Sequence, residues 1–200
     1  MDISIIYYLA TGVLAGLLAG LFGIGGGLVI VPALIYILNI QHVPEAALTH
    51  ICIGTSLATI IITSISSLRA HNSRGAVNWI VWKRMAPGLV IGSLIGAAIA
   101  SVIHGKPLQA VIGIGAFLVG LKMLFMKNKT LDENDLSKLP SPIAQTGLGG
   151  FIGMVSAIFG IGGGTLTVPL LSHYGLKIQH AVGTSAASGL PIAVSGAIGF

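Results

Sequence analysis

The sequence predicts an all-α fold: a polytopic membrane helix bundle with inverted-topology repeats and Gly-broken or re-entrant helices. Three observations predict it. Of 200 residues, 54% are apolar and only 8% charged, with a mean hydropathy of +0.96. Soluble domains average about 25% charged, and a water-facing surface this poor in charge would be one broad apolar patch. Several apolar runs approach the ~20 residues that a spanning helix needs. Finally, one glycine-rich segment occurs twice. Residues 22–32 read FGIGGGLVIVP and residues 159–169 read FGIGGGTLTVP, agreeing at eight of eleven positions, 137 residues apart.

Apolar runs predict spans at 3–22, 46–68, 85–104, 107–126, 143–159 and 181–200. Two shorter pieces, 28–39 and 165–174, follow the glycine clusters and are too short to cross unaided. The N-terminus lacks the basic start of a secretory signal, and its apolar run exceeds a signal core, so it reads as a retained first helix. Cys52 is the sole cysteine and reads as a packing residue; alone it makes neither an internal disulfide nor a metal cluster. No cofactor and no metal site are expected. The net charge of +5 does not point to nucleic acid, because the basic residues flank apolar spans, as topology determinants do.

Those charges orient the chain. The stretch 69–84 carries Arg69, Arg74, Lys83 and Arg84, and the connector after Met126 carries Lys127, Lys129 and Lys138. Two spans separate these stretches, so both lie on one face, which the positive-inside rule makes cytoplasmic. The first glycine cluster is then entered from, and left toward, the outside. The second is entered from, and left toward, the inside. The expected organisation is a first membrane repeat at 1–126, a cytoplasmic connector at 127–142 and a second, inverted repeat at 143–200. Such repeats typify secondary transporters.

Further matches support the duplication. Gly54-Thr55-Ser56 follows the first cluster and Gly183-Thr184-Ser185 the second, each preceded by Ile-Gln-His. The partner of His180 is either His42, by the Ile-Gln-His match, or His50, by proximity to Gly-Thr-Ser. His50 is the candidate proton-sensitive group.

Glycine permits backbone angles closed to other residues and weakens helices. Gly23, Gly25, Gly26 and Gly27, like Gly160 and Gly162 to Gly164, are therefore expected to interrupt the helix, with Pro32 and Pro169 kinking the pieces that follow. An interruption in hydrocarbon survives only where protein or a wet cavity covers it. The next helix begins with free N–H groups and about half a positive charge, a seat for an anion. The candidate substrate-binding residues are Gly25, Gly26, Gly27, Leu28, Thr55 and Ser56 in the first repeat, and Gly162, Gly163, Gly164, Thr165, Thr184 and Ser185 in the second. The glycines also admit a plain packing role, and the hydroxyl pairs a helix-bonding one. No Asp or Glu falls within a predicted span, which argues against a carboxylate-based cation site.

The segments GLFGIGGGLVIVP and AIFGIGGGTLTVP, each followed by Gly-Thr-Ser, resemble the TauE/SafE sulfite exporter family over nearly the whole chain. The resemblance implies a polytopic cell-membrane protein with two related halves that moves sulfite, sulfonates or other organosulfur anions. One departure stands out: counterparts of 85–104 and 107–126 are missing from the second half, which is expected to be truncated. The reading is a non-enzymatic secondary transporter of small anions working by alternating access. Its expected partners are a small anionic substrate and the lipid bilayer, with a homo-oligomer left open. An anion channel is the alternative class, and a non-transport membrane assembly factor ranks last.

Overall fold

The computed structural model describes residues 3–22, 26–125 and 139–200. Every regular element among them is an α-helix: α1 (Ile3–Phe22), α2 (Gly27–Ile40), α3 (Glu45–Ser73), α4 (Trp79–Val102), α5 (Gly105–Phe125), α6 (Pro142–Phe159), α7 (Gly164–His173) and α8 (Ile178–Ile198). Four stretches, Ala47–Ser73, Trp79–Val102, Pro142–Phe159 and Ile178–Ile198, are long and apolar enough to cross a membrane. Gly23, Gly25 and most of the connector expected at 127–142 lie outside the described residues.

The elements follow the apolar runs closely except at 69–84. That stretch was expected to link two spans, but α3 continues to Ser73 and α4 starts at Trp79, leaving only 74–78 between them. The short turn has local causes. Gly75 takes φ 65°, and Asn78 Oδ1 accepts the amide hydrogen of Val81 at 3.2 Å, capping α4. Helix α6 starts in the same manner, with Ser141 Oγ accepting from Ala144 N ahead of Pro142 at the first turn.

Helices α4 and α6 run parallel at backbone contact. A Cβ at Gly88, Gly92 or Gly96 would run into the carbonyls of Thr146, Gly150 or Met154, and one at Gly149 or Gly153 into those of Met85 or Leu89. Lipid tails supply no hydrophobic force between helices, so close approach of small residues, with its dispersion and weak polar contacts, holds them together. Thr146 Oγ1 adds a bond to Arg84 O at 2.8 Å.

Helix α8 runs antiparallel to α3, with Gly189 beside Ser64, Gly196 beside Leu57 and Phe200 beside Gly54. It also meets α4, where the Ser93 and Ser195 hydroxyls pair. Helices α1 and α2 form a hairpin: Tyr8 bonds Gln41 at 3.1 Å, and Ala15 lies against Gly26. The α3 and α5 N-termini sit side by side, joined by Thr49 Oγ1 to Gly105 O at 3.2 Å and by an exposed Lys106–Glu45 ion pair worth little in stability.

Buried apolar residues form two clusters. One gathers Val31, Leu48, Ile53, Leu57 and Leu108; the other gathers Val81, Met85, Leu89, Leu171 and Ile192. Outward faces are also apolar, with Ile80, Ile91, Ile114, Phe117 and Phe151 all exposed. A surface of that kind suits lipid rather than water.

The glycine contacts make a direct forecast. Gly92→Ala should destabilise the detergent-solubilised protein by about 1–3 kcal/mol through overpacking against α6. Gly113→Ala, where a Cβ meets nothing within 4 Å, should leave thermal unfolding unchanged or raise its midpoint slightly.

Candidate functional site

The second glycine cluster is a helix break with a defined geometry. Gly160 ends α6 in the left-handed region (φ 65°), where it and Ile161 return their amides to Ala157 O and Ser156 O at 3.2 and 2.8 Å. Gly163, at φ 75°, precedes α7, and no side chain caps that helix. These two positions demand glycine, because an L side chain at such angles is strained. The first bonds within α7 run from Leu166 N and Thr167 N to Gly163 O. The amides of Gly164 and Thr165 precede the ladder and point out of the helix end.

Two hydroxyls flank the break, and a third belongs to the first turn of α7. A Cβ built on Gly163 would lie 3.7 Å from Ser156 Oγ and 3.8 Å from Thr167 Oγ1, and Thr165 stands in the first turn of α7. Ser156 is 1% exposed, Thr165 4% and Thr167 0%. None of the three hydroxyls has a hydrogen-bond partner. Leaving a buried hydroxyl unpaired costs about 1–3 kcal/mol, which makes this helix end a candidate binding place.

The break lies deep in the bundle. Ser64 Oγ and Gly162 O stand 2.6 and 3.0 Å from where a Cβ would sit on Gly189. Gly189 is eleven residues into α8, or ~16 Å along the axis. That is about half of a ~30 Å hydrocarbon core.

The first cluster meets the second. Gly27 opens α2, its Cβ direction blocked by the Gly160 carbonyl, and a Cβ there would be 2.9 Å from Ile161 Cα. Gly26 stands at the N-cap in helical conformation, accepting from Val29 N and Ile30 N. Leu28 is half-buried and Gly27 buried, while Gly23 and Gly25 lie outside the described residues. From α3, buried Ser56 Oγ donates to Gly160 O at 2.8 Å, so the Gly-Thr-Ser of one half clasps the break of the other.

The remaining sequence candidates are distributed unevenly. Thr184 is buried and accepts from Asn78 N at 2.9 Å, tying α8 to the start of α4. Ser185 is buried with an unpartnered hydroxyl. Thr55 is exposed on the outer face of α3 and does not join the others. Pro32 and Pro169 lie inside α2 and α7. His50 is half-buried in α3, its Nε2 3.0 Å from Ala100 O and its ring 6.1 Å from that of Phe200. His180 stands half-buried near the start of α8. No charged side chain is buried among the described residues, and none of them group as a metal site.

Residues outside the sequence-derived set complete the site: Ser156, Thr167, Ser64 and Gly189. One signal was available in the sequence, since Ser156 and Thr167 sit four residues before Gly160 and four after Gly163, the helical spacing that turns a side chain toward a break.

Comparison with known proteins fits this architecture. A family model described as Sulfite exporter TauE/SafE matches residues 8–200. A probable membrane transporter protein of Haemophilus influenzae is 39% identical over 197 residues, covering 98% of this chain and 73% of that protein. A similarly named protein of Methanocaldococcus jannaschii is 30% identical over 176 residues (87% and 64%), and one of Xylella fastidiosa 31% over 184 residues (91% and 68%). The chain thus spans roughly two thirds to three quarters of the length of these relatives. No solved structure matches it.

The clasp between halves can be tested by substitution. Ser56→Ala strands the Gly160 carbonyl and should cost about 1–3 kcal/mol of stability. Ser101→Ala, on an exposed residue bonded only to its own helix, should cost under about 0.5 kcal/mol. Thermal unfolding of both variants in detergent measures the difference.

Proposed function

This chain belongs to the TauE/SafE sulfite exporter family, and from that premise we propose that it is a multi-pass cell-membrane carrier of small anions, sulfite or organosulfonates, operating by alternating access. The observation that carries the reading is the α7 N-terminus: two amides ahead of the helical ladder, three buried hydroxyls without partners, and no acidic side chain buried beside them. Donors without acceptors at a helix N-terminus favour a negatively charged guest.

Several features support the carrier mechanism. The α1–α2 hairpin closes at the end of the bundle where α3 begins, through Tyr8 and Gln41. Helix α6 starts beside the start of α4, at the opposite end. We read this as two repeats of opposite orientation, whose breaks meet where Gly27 abuts Gly160. Under the positive-inside rule, the end carrying Arg69, Arg74, Lys83 and Arg84 is cytoplasmic. Rocking one repeat against the other would open the α7 terminus to each face in turn. The hydroxyls at the break are sealed from solvent, which fits an occluded carrier better than an open channel. Chemistry on the substrate plays no part in this reading.

Purified protein in liposomes should take up labelled sulfite or methanesulfonate with saturable kinetics, accelerated by the same anion on the far side. Thr165→Val should lower the initial rate by about tenfold, the loss of one hydrogen bond to a charged group. Absence of flux for every sulfur oxyanion tried would refute the reading, and non-saturating flux without trans-acceleration would favour a channel.

A further inference from the structure

The charge that the seat can hold is limited by what surrounds it. Arg69, Arg74, Lys83, Arg84, Lys106 and Lys177 are all exposed, and among the described residues no cationic side chain is buried. The positive potential at the break therefore comes from helix ends. A helix N-terminus supplies about half an elementary charge; α7 brings its own, while the start of α2, at Gly27, abuts the Gly160–Ile161 backbone at the end of α6. The α7 terminus is thus worth about half a unit. The C-terminal end of α6 subtracts from it, although Ser156 O and Ala157 O are engaged by the turn and Gly160 O by Ser56.

The hydroxyls are also one-sided. At the 137-residue offset of the duplicated segment, Ser156, Thr165 and Thr167 correspond to Ala19, Leu28 and Ile30. The first repeat thus brings a helix end but none of these hydroxyl donors, and the second brings all three. That makes one seat rather than a symmetric pair. Desolvating an ion costs several kcal/mol even after the protein relaxes, and the cost grows with the square of the charge. A dianion would meet roughly four times the penalty for only about twice the attraction to the same helix end.

We propose that the α7 N-terminus, with the hydroxyls of Ser156, Thr165 and Thr167, is a charge-selective seat for a single sulfur monoanion, a sulfonate or hydrogen-sulfite headgroup, and rejects dianions of the same shape. This rests on the anion-carrier reading above and adds the valence of the substrate. Three oxygens of a monoanionic headgroup accept from the two leading amides and the hydroxyls. An extra negative charge finds no counterion.

Three molecules of nearly one size separate the effects: methanesulfonate with one charge, sulfate with two and dimethyl sulfone with none. Titration calorimetry of the full chain in detergent should show methanesulfonate binding and the other two at least about tenfold weaker, one charge-assisted hydrogen bond's worth or more. Ser156→Ala and Thr165→Val should each weaken methanesulfonate by about tenfold while the thermal unfolding midpoint persists. Sulfate binding as tightly as methanesulfonate would overturn the valence inference and leave the anion reading standing. Equal binding of dimethyl sulfone, or no binding by either anion, would overturn both. If neither hydroxyl variant changes the affinity, the seat is not at α7.

Discussion

A backbone broken in hydrocarbon must find partners for the groups it frees. No water is at hand, and each unpaired amide or carbonyl costs several kcal/mol. At the α6–α7 break several acceptors are engaged. Gly160 O receives Ser56, and Ala157 O and Ser156 O receive the turn amides. The donors are not. The amides at the start of α7 and the hydroxyls of Ser156, Thr165 and Thr167 are left over. The proposed anion seat rests on these unpaired donors at the start of α7.

The rest of the bundle holds this break in place. The α4–α6 glycine seam fixes α6 at backbone distance from α4. Thr184 accepts from Asn78 N and ties α8 to the start of the same helix. Helix α3 contributes Ser56 to one side of the break and Ser64 to the other. At the offset of the repeat, Gly149 and Gly153 of α6 correspond to Gly12 and Gly16 of α1. The α6 pair is locked against α4, whereas a Cβ on either α1 glycine meets nothing within 4 Å. The two copies of the sequence pattern differ in how closely their glycines are packed.

Much of the fold was legible because the bilayer and glycine chemistry speak through composition. Apolar run length marked the helices, and the glycine clusters marked the break after α6. The stretch 69–84 misled because helices need not stop at the first charge. His71 and Arg69 extend α3, while Trp82, Lys83 and Arg84 open α4. The candidate site was half legible. Thr55-Ser56 and Thr184-Ser185 stood out as pairs, but neighbouring helix residues point about 100° apart, and only packing decides which faces in. On α3 that is Ser56, with Thr55 turned outward; on the enclosed α8 both are buried. Ser156 and Thr167 escaped notice because single hydroxyls in apolar helices commonly bond their own backbone. Here they do not.

The account's central claim is that the guest sits on the freed donors of α7. Crystals grown with selenite and phased on selenium would test it directly. A selenium peak is predicted within hydrogen-bonding reach of Gly164 N, Thr165 N and Ser156 Oγ. A peak confined to the basic end around Arg74 and Lys83, or none at the break, would contradict it.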